Sequence, residues 1–124
     1  MKTPKEIVDT VRGHAALDFI RDSHVNGTEL AGACTGTFFL AESGVLDGRL
    51  ATTSWWLGPA FRSQYPAVLL DATRIIARDD RITTAGAAFA HIDLALSIVQ
   101  RHSPSLADRT ARYLVIGDHP SQAA

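Results

Sequence analysis

The segment Gly32-Ala33-Cys34-Thr35-Gly36 constrains this chain more than any other. It follows a short apolar run, Glu29 to Ala33, that fits inside a sheet. Phe38, Phe39 and Leu40 then open a helix that ends at Gly44, a suitable left-handed cap. A strand that passes into a helix through small residues is the first part of a βαβ unit, so the chain must build a sheet with helices beside it. The spacing G-x-C-x-G is the cysteine counterpart of the G-x-S-x-G nucleophile elbow. Such a turn holds its central residue in a strained backbone conformation, and small neighbours let strand and helix pass closely.

The rest of the chain agrees with that architecture. Thr3, Pro4 and Glu6 form a capping box with proline at the first helical position. Ile7, Val8 and Val11 share one face, and a second stretch after Gly13 buries Leu17, Phe19 and Ile20. The turn signal Asn26-Gly27 ends it. Leu50–Thr53 reads as a strand. Pro59 opens a helix that Pro66 stops, with Trp55, Trp56, Phe61 and Tyr65 along it. The runs "VLLD" and "RIIA" are strand-like, and Asp79-Asp80 turn the chain into a central strand, "RITTAG". Residues 87–101 form the clearest amphipathic helix, with Ile92, Leu96 and Val99 at helical spacing. Ser103-Pro104 starts a last helix through Leu114 to Ile116. Strands alternating with helices predict an α/β domain with a mainly parallel sheet covered on both faces.

Composition narrows the function classes. With 124 residues the chain is one domain or part of one. A net charge of −1, without blocks of like charge, gives no support to a large nucleic-acid footprint or a membrane-surface role. The single cysteine excludes an intrachain disulfide framework. No residue set has metal-ligand spacing and no glycine-rich loop matches a phosphate cradle, so neither metal nor cofactor is expected. The N-terminus lacks the apolar core of a signal peptide and no apolar run spans a bilayer, so the expected location is cytoplasmic.

Cys34 is the candidate nucleophile or sensor thiol. The helix start beside it places partial positive charge near the sulfur and should lower its pKa, and the Thr35 N–H is a candidate oxyanion donor. The plainer reading is a buried cysteine used as a small apolar residue. Among the five histidines only His91 follows the expected central strand on the elbow's edge of the sheet, where it also fits as a polar residue in a first helical turn. His24 and His102 sit near helix ends, where they complement the dipole.

The segments "GACTGTFFLAESGVLDGRLATTSWW", "RITTAGAAFAHIDLALSIV" and "ARYLVIGDHPSQAA" together resemble the ThiJ/PfpI-like, or class I glutamine amidotransferase-like, domain. They resemble most the version at the N-terminus of AraC-type transcriptional regulators of the GlxA group. The resemblance covers Thr28 onward and implies a flavodoxin-like fold with Cys34 at the elbow. In catalytic relatives a histidine follows the next strand in a "TTHW"-like context; here Thr52-Thr53-Ser54-Trp55 puts Ser54 in its place. A serine holds no proton near neutral pH, so the Cys–His dyad is absent at its usual position. The resemblance also implies a preceding βα unit with an acidic partner for the cysteine, and a helix-turn-helix region after a "PSQA"-like junction. Residues 1–116 are therefore expected to be a partial domain, incomplete at the N-terminus, and 117–124 the start of a linker.

An unpaired sheet edge then implies a homodimer, a truncated or mis-started gene product, or poor solubility. The favoured function is a non-catalytic sensing and dimerisation module. Its small molecule would sit over Cys34, near Gly32, Gly36, Ser54, Trp55, Ala85, Gly86 and His91, and DNA would be read only through a region outside this chain. The alternatives are a cysteine-dependent hydrolase, hydratase or glyoxalase-like enzyme, or an oxidation sensor.

Overall fold

The structure, a computed structural model, describes residues 3–86 and 90–114. Helix α1 (Pro4–Val8) opens with the expected capping box, in which Thr3 Oγ1 accepts from Glu6 N–H and Glu6 returns the bond to the Thr3 N–H. Helix α2 (Val11–Val25) starts before Gly13, because Thr10 breaks from α1 and caps the new helix by accepting from the Gly13 N–H at 3.1 Å. Gly13 is a close-approach residue instead of a break: a Cβ there would collide with the Val8 carbonyl oxygen. Leu17 is buried as expected, but Phe19 is 72% exposed because it stands on the opposite side of the helix.

The sheet is built on β1 (Leu30–Ala33), which pairs in parallel with β5 (Ile82–Ala85), so that Leu30 lies opposite Ile82 and Ala33 opposite Ala85. On its other side β5 pairs antiparallel with β4 (Ile76–Asp79), which makes β5 the central strand as expected. A second, two-stranded ladder joins β2 (Leu50–Ala51) in parallel to β3 (Leu69–Leu70). Two of the three pairings are parallel. The strand expected over Leu50–Thr53 is only two residues long, because Thr52 turns its N–H to the Thr84 hydroxyl in place of a ladder carbonyl.

Helix α3 (Gly36–Glu42) packs on β1, and α5 (Ala90–His102) packs on β5 and β4. The C-cap of α3 leads to Gly44 at φ +89°, the left-handed position that the sequence assigns to it. Trp55–Leu57 form a 3-10 turn before α4 (Gly58–Gln64), so the two tryptophans lie outside the helix expected to carry them. Helix α6 (Pro104–Leu114) packs on α5. The expected continuation to Ile116, the tail 117–124 and the expected helix start over 87–89 lie outside the described residues.

The core joins Val8, Leu17, Phe38, Leu40, Leu46, Phe61 and Ile82. Phe38 meets Phe61 edge-on at 5.1 Å and Tyr65 at 5.9 Å, geometries that add to the burial of the rings themselves. Phe38 belongs to α3, so this aromatic cluster anchors the helix that follows Cys34. Among the described residues β1 has no strand on its outer edge.

Candidate functional site

The elbow sits at the C-terminal end of β1. Cys34 adopts φ +53°, a left-handed conformation that costs an L-residue on the order of 1–2 kcal/mol. Its N–H extends the β1–β5 ladder by donating to the Ala85 carbonyl at 2.9 Å. The flanking glycines differ in what they do. A Cβ on Gly32 would lie 2.7 Å from Leu40 Cδ1 and 3.3 Å from the Gly36 backbone, so a side chain there would press on α3 and make the Leu40 side chain move. A Cβ on Gly36 would meet nothing within 4 Å, and the close-passage reason expected for that glycine does not apply.

Cys34 is half-buried, and among the described residues its sulfur meets the Ser54 hydroxyl, which donates to Sγ at 2.9 Å. Ser54 is fully buried, so water does not compete for that hydroxyl. Thr53 donates from Oγ1 to the Cys34 carbonyl at 2.7 Å. The stretch after β2 thus holds the elbow by both its sulfur and its backbone.

The other candidate residues fall into two groups. Ala85 is fully buried and its carbonyl accepts from the Cys34 N–H, while Gly86 is buried and its N–H donates to the Ile75 carbonyl at 2.9 Å. Thr35, Trp55 and His91 are exposed. Thr35 opens α3 without a side-chain cap, and its carbonyl accepts from the Phe38 N–H. Trp55 stands edge-to-face against Trp56 at 5.8 Å, both more than half exposed, which makes them a surface feature and not core. His91 lies in the first turn of α5, and among the described residues no hydrogen bond joins it to Cys34. The groups whose pKa shift is clear lie away from the elbow. Burial pushes the Tyr65 phenol up, with the Glu42 carboxylate adding to it.

Sequence reasoning missed the polar floor of the site. Thr37, Thr52, Thr53 and Thr84 are all fully buried. Thr52 donates its N–H to Thr84 Oγ1 at 2.9 Å and its hydroxyl to the Arg74 carbonyl at 2.8 Å, while its carbonyl accepts from Thr37 Oγ1 at 3.0 Å. The signal was the pairing of two Thr-Thr runs, Thr52-Thr53 and Thr83-Thr84, at strand positions otherwise filled by apolar residues.

Chemically, the arrangement presents a thiol with a hydroxyl donor and no hydrogen-bonded base among the described residues. Among them no cluster of three or more His, Cys, Asp or Glu could hold a metal ion. No helix among the described residues is long and apolar enough to cross a membrane.

A left-handed cysteine at the strand-to-helix turn of a parallel-rich sheet defines a cysteine-elbow α/β domain. Residues 5–101 match the model of the DJ-1/PfpI family, and the chain belongs to that family. It is 38% identical over 104 residues to the HTH-type transcriptional regulator CdhR of Pseudomonas aeruginosa, a match covering 83% of this chain and 31% of CdhR. It is 33% identical over 85 residues to isonitrile hydratase of Pseudomonas putida, covering 68% of this chain and 36% of that enzyme. The chain therefore spans about a third of the length of these curated relatives. The crystal structure of an AraC family transcriptional regulator from Pseudomonas putida superposes with a TM-score of 0.73 at 20% identity, over 85% of this chain and 57% of that one, which establishes the shared flavodoxin-like fold.

Proposed function

We propose that this chain is the small-molecule-sensing part of an AraC-type transcriptional regulator, with the pocket at the Cys34 elbow and no catalytic turnover of its own. The observation that carries the reading is the Ser54 hydroxyl on Cys34 Sγ at 2.9 Å. At the position where resemblance to catalytic members puts a histidine base, this chain has a group that donates a hydrogen bond but takes up no proton near neutral pH. Similarity to CdhR, itself named as a transcriptional regulator, supports the regulatory side. A ligand at the elbow acts by binding two conformations with different affinity, and the difference reaches DNA through a separate reader. A cytoplasmic location goes with that role. The outer edge of β1, which has no strand beside it among the described residues, supports a homodimer.

The test uses this chain alone and a full-length regulator that contains it. The chain alone, with a net charge of −1, should show no salt-sensitive binding to duplex DNA. Small molecules that raise its melting temperature should shift the operator affinity of the full-length protein. Specific, salt-sensitive operator binding by the 124-residue chain itself would contradict the reading.

The second reading, a cysteine-dependent hydratase or related enzyme, is favoured by the similarity to isonitrile hydratase and by the retained elbow. It requires a base other than Ser54.

A further inference from the structure

Cys34 holds a conformation that relaxes unless its surroundings over-determine it. Its N–H bond to Ala85 continues the strand ladder. Its carbonyl accepts from two donors: the Thr37 N–H at 3.3 Å, which only begins the next helix, and the Thr53 hydroxyl at 2.7 Å, which reaches across from another element. That second donor is a rigid strut. Thr53 is fully buried, and the preceding Thr52 is pinned by hydrogen bonds through its N–H, carbonyl and hydroxyl. Ser54, one residue further on, places its hydroxyl on Sγ. A shift of the Cys34 carbonyl away from Thr53 therefore also takes Sγ away from Ser54.

We propose that Thr53 is the positioning residue of the elbow: its hydroxyl, bonded to the Cys34 carbonyl, holds the left-handed turn and with it the contact between Cys34 Sγ and Ser54. The inference rests on the proposed function only in taking Cys34 as the centre of the site.

The chain has one cysteine, so labelling with 13C-cysteine gives one pair of Cα and Cβ resonances that report the elbow's backbone directly. T53V removes the hydroxyl and keeps the shape. It should move both resonances and shift the rate at which iodoacetamide alkylates Cys34, because the sulfur leaves the Ser54 hydroxyl when the turn relaxes. T53S, which keeps the hydroxyl, should restore both values. T83V is the control, because Thr83, on β5, is also fully buried but its hydroxyl accepts from Arg78 Nη1 at 3.1 Å instead of bonding to Cys34. It should leave the resonances in place. Unchanged resonances and rate in T53V, or equal changes in T83V, would overturn the proposal. T53A repeats the test should T53V not fold. Failure of both to fold while T83V folds would assign the hydroxyl to the fold and not to the elbow, which also overturns it. No ligand or DNA enters this experiment, so its outcome is separate from that of the sensing reading.

Discussion

The elbow and the α5–α6 hairpin are held by opposite means. Around Cys34 the buried side chains are hydroxyls, and each of Thr37, Thr52, Thr53 and Ser54 donates to a named atom. On α6 of the hairpin the large apolar side chains face outward: Leu106 is 52% exposed and Tyr113 83%, and of all α6 only Ala107 is buried. The difference teaches that fixed geometry in this chain comes from saturated polar contacts over an aromatic floor, while amphipathic helices alone leave surface to spare. A site that must hold one atom in place belongs in the first kind of region.

That contrast can be broken or sharpened by substitution. The largest effect is expected where the floor supports the elbow. Phe61→Ala empties the ring that meets Phe38 and should lower stability by about 3–5 kcal/mol in chemical denaturation. Gly32→Ala forces a methyl to within 2.7 Å of Leu40 and should cost about 1–3 kcal/mol. Thr84→Val leaves the buried Thr52 N–H without its acceptor and should cost a similar amount, about 1–3 kcal/mol, although it removes no apolar contact. At the far side of the sheet, Glu29 ties β4 and α5 together through Arg78 and Arg101. Partial desolvation by itself would raise its carboxyl, but the hydrogen bonds and charges of Arg101 and Arg78 outweigh it and hold the group below its ordinary value of 4.5. A lowered folded value means stability that is present above that ordinary value and lost as pH falls through the lowered one. Glu29→Gln should therefore flatten the acid side of the melting-temperature profile and leave the profile near neutral pH parallel to wild type. The smallest effect belongs to the hairpin, where Leu106→Ala should change stability by no more than about 0.5 kcal/mol.

The same contrast explains how much was legible in the sequence. The elbow was readable because a left-handed residue between a strand and a helix needs small neighbours, and Gly32 leaves that trace. The capping box at Thr3 and the cap at Gly44 were readable because single residue types perform those tasks. Ser54 was placed at the site by its order after Thr52-Thr53, but its bond to Sγ was not, since periodicity carries no side-chain direction. Phe19 was misplaced for the same reason: an apolar residue in a helix signals a buried face only when its phase agrees with its neighbours. The threonine floor escaped notice because threonine in a strand is ordinary, and only the fold shows that Thr52, Thr53 and Thr84 converge on one turn.

The central proposal is that Cys34 belongs to a sensing site that drives no reaction, and turnover tests it most directly. Isonitrile hydration and methylglyoxal consumption should be measured with the wild-type chain and with Cys34→Ala side by side. The account predicts that both proteins match the protein-free control in both assays. Turnover by the wild type that disappears in Cys34→Ala would contradict it and would make the serine-bound thiol a working nucleophile.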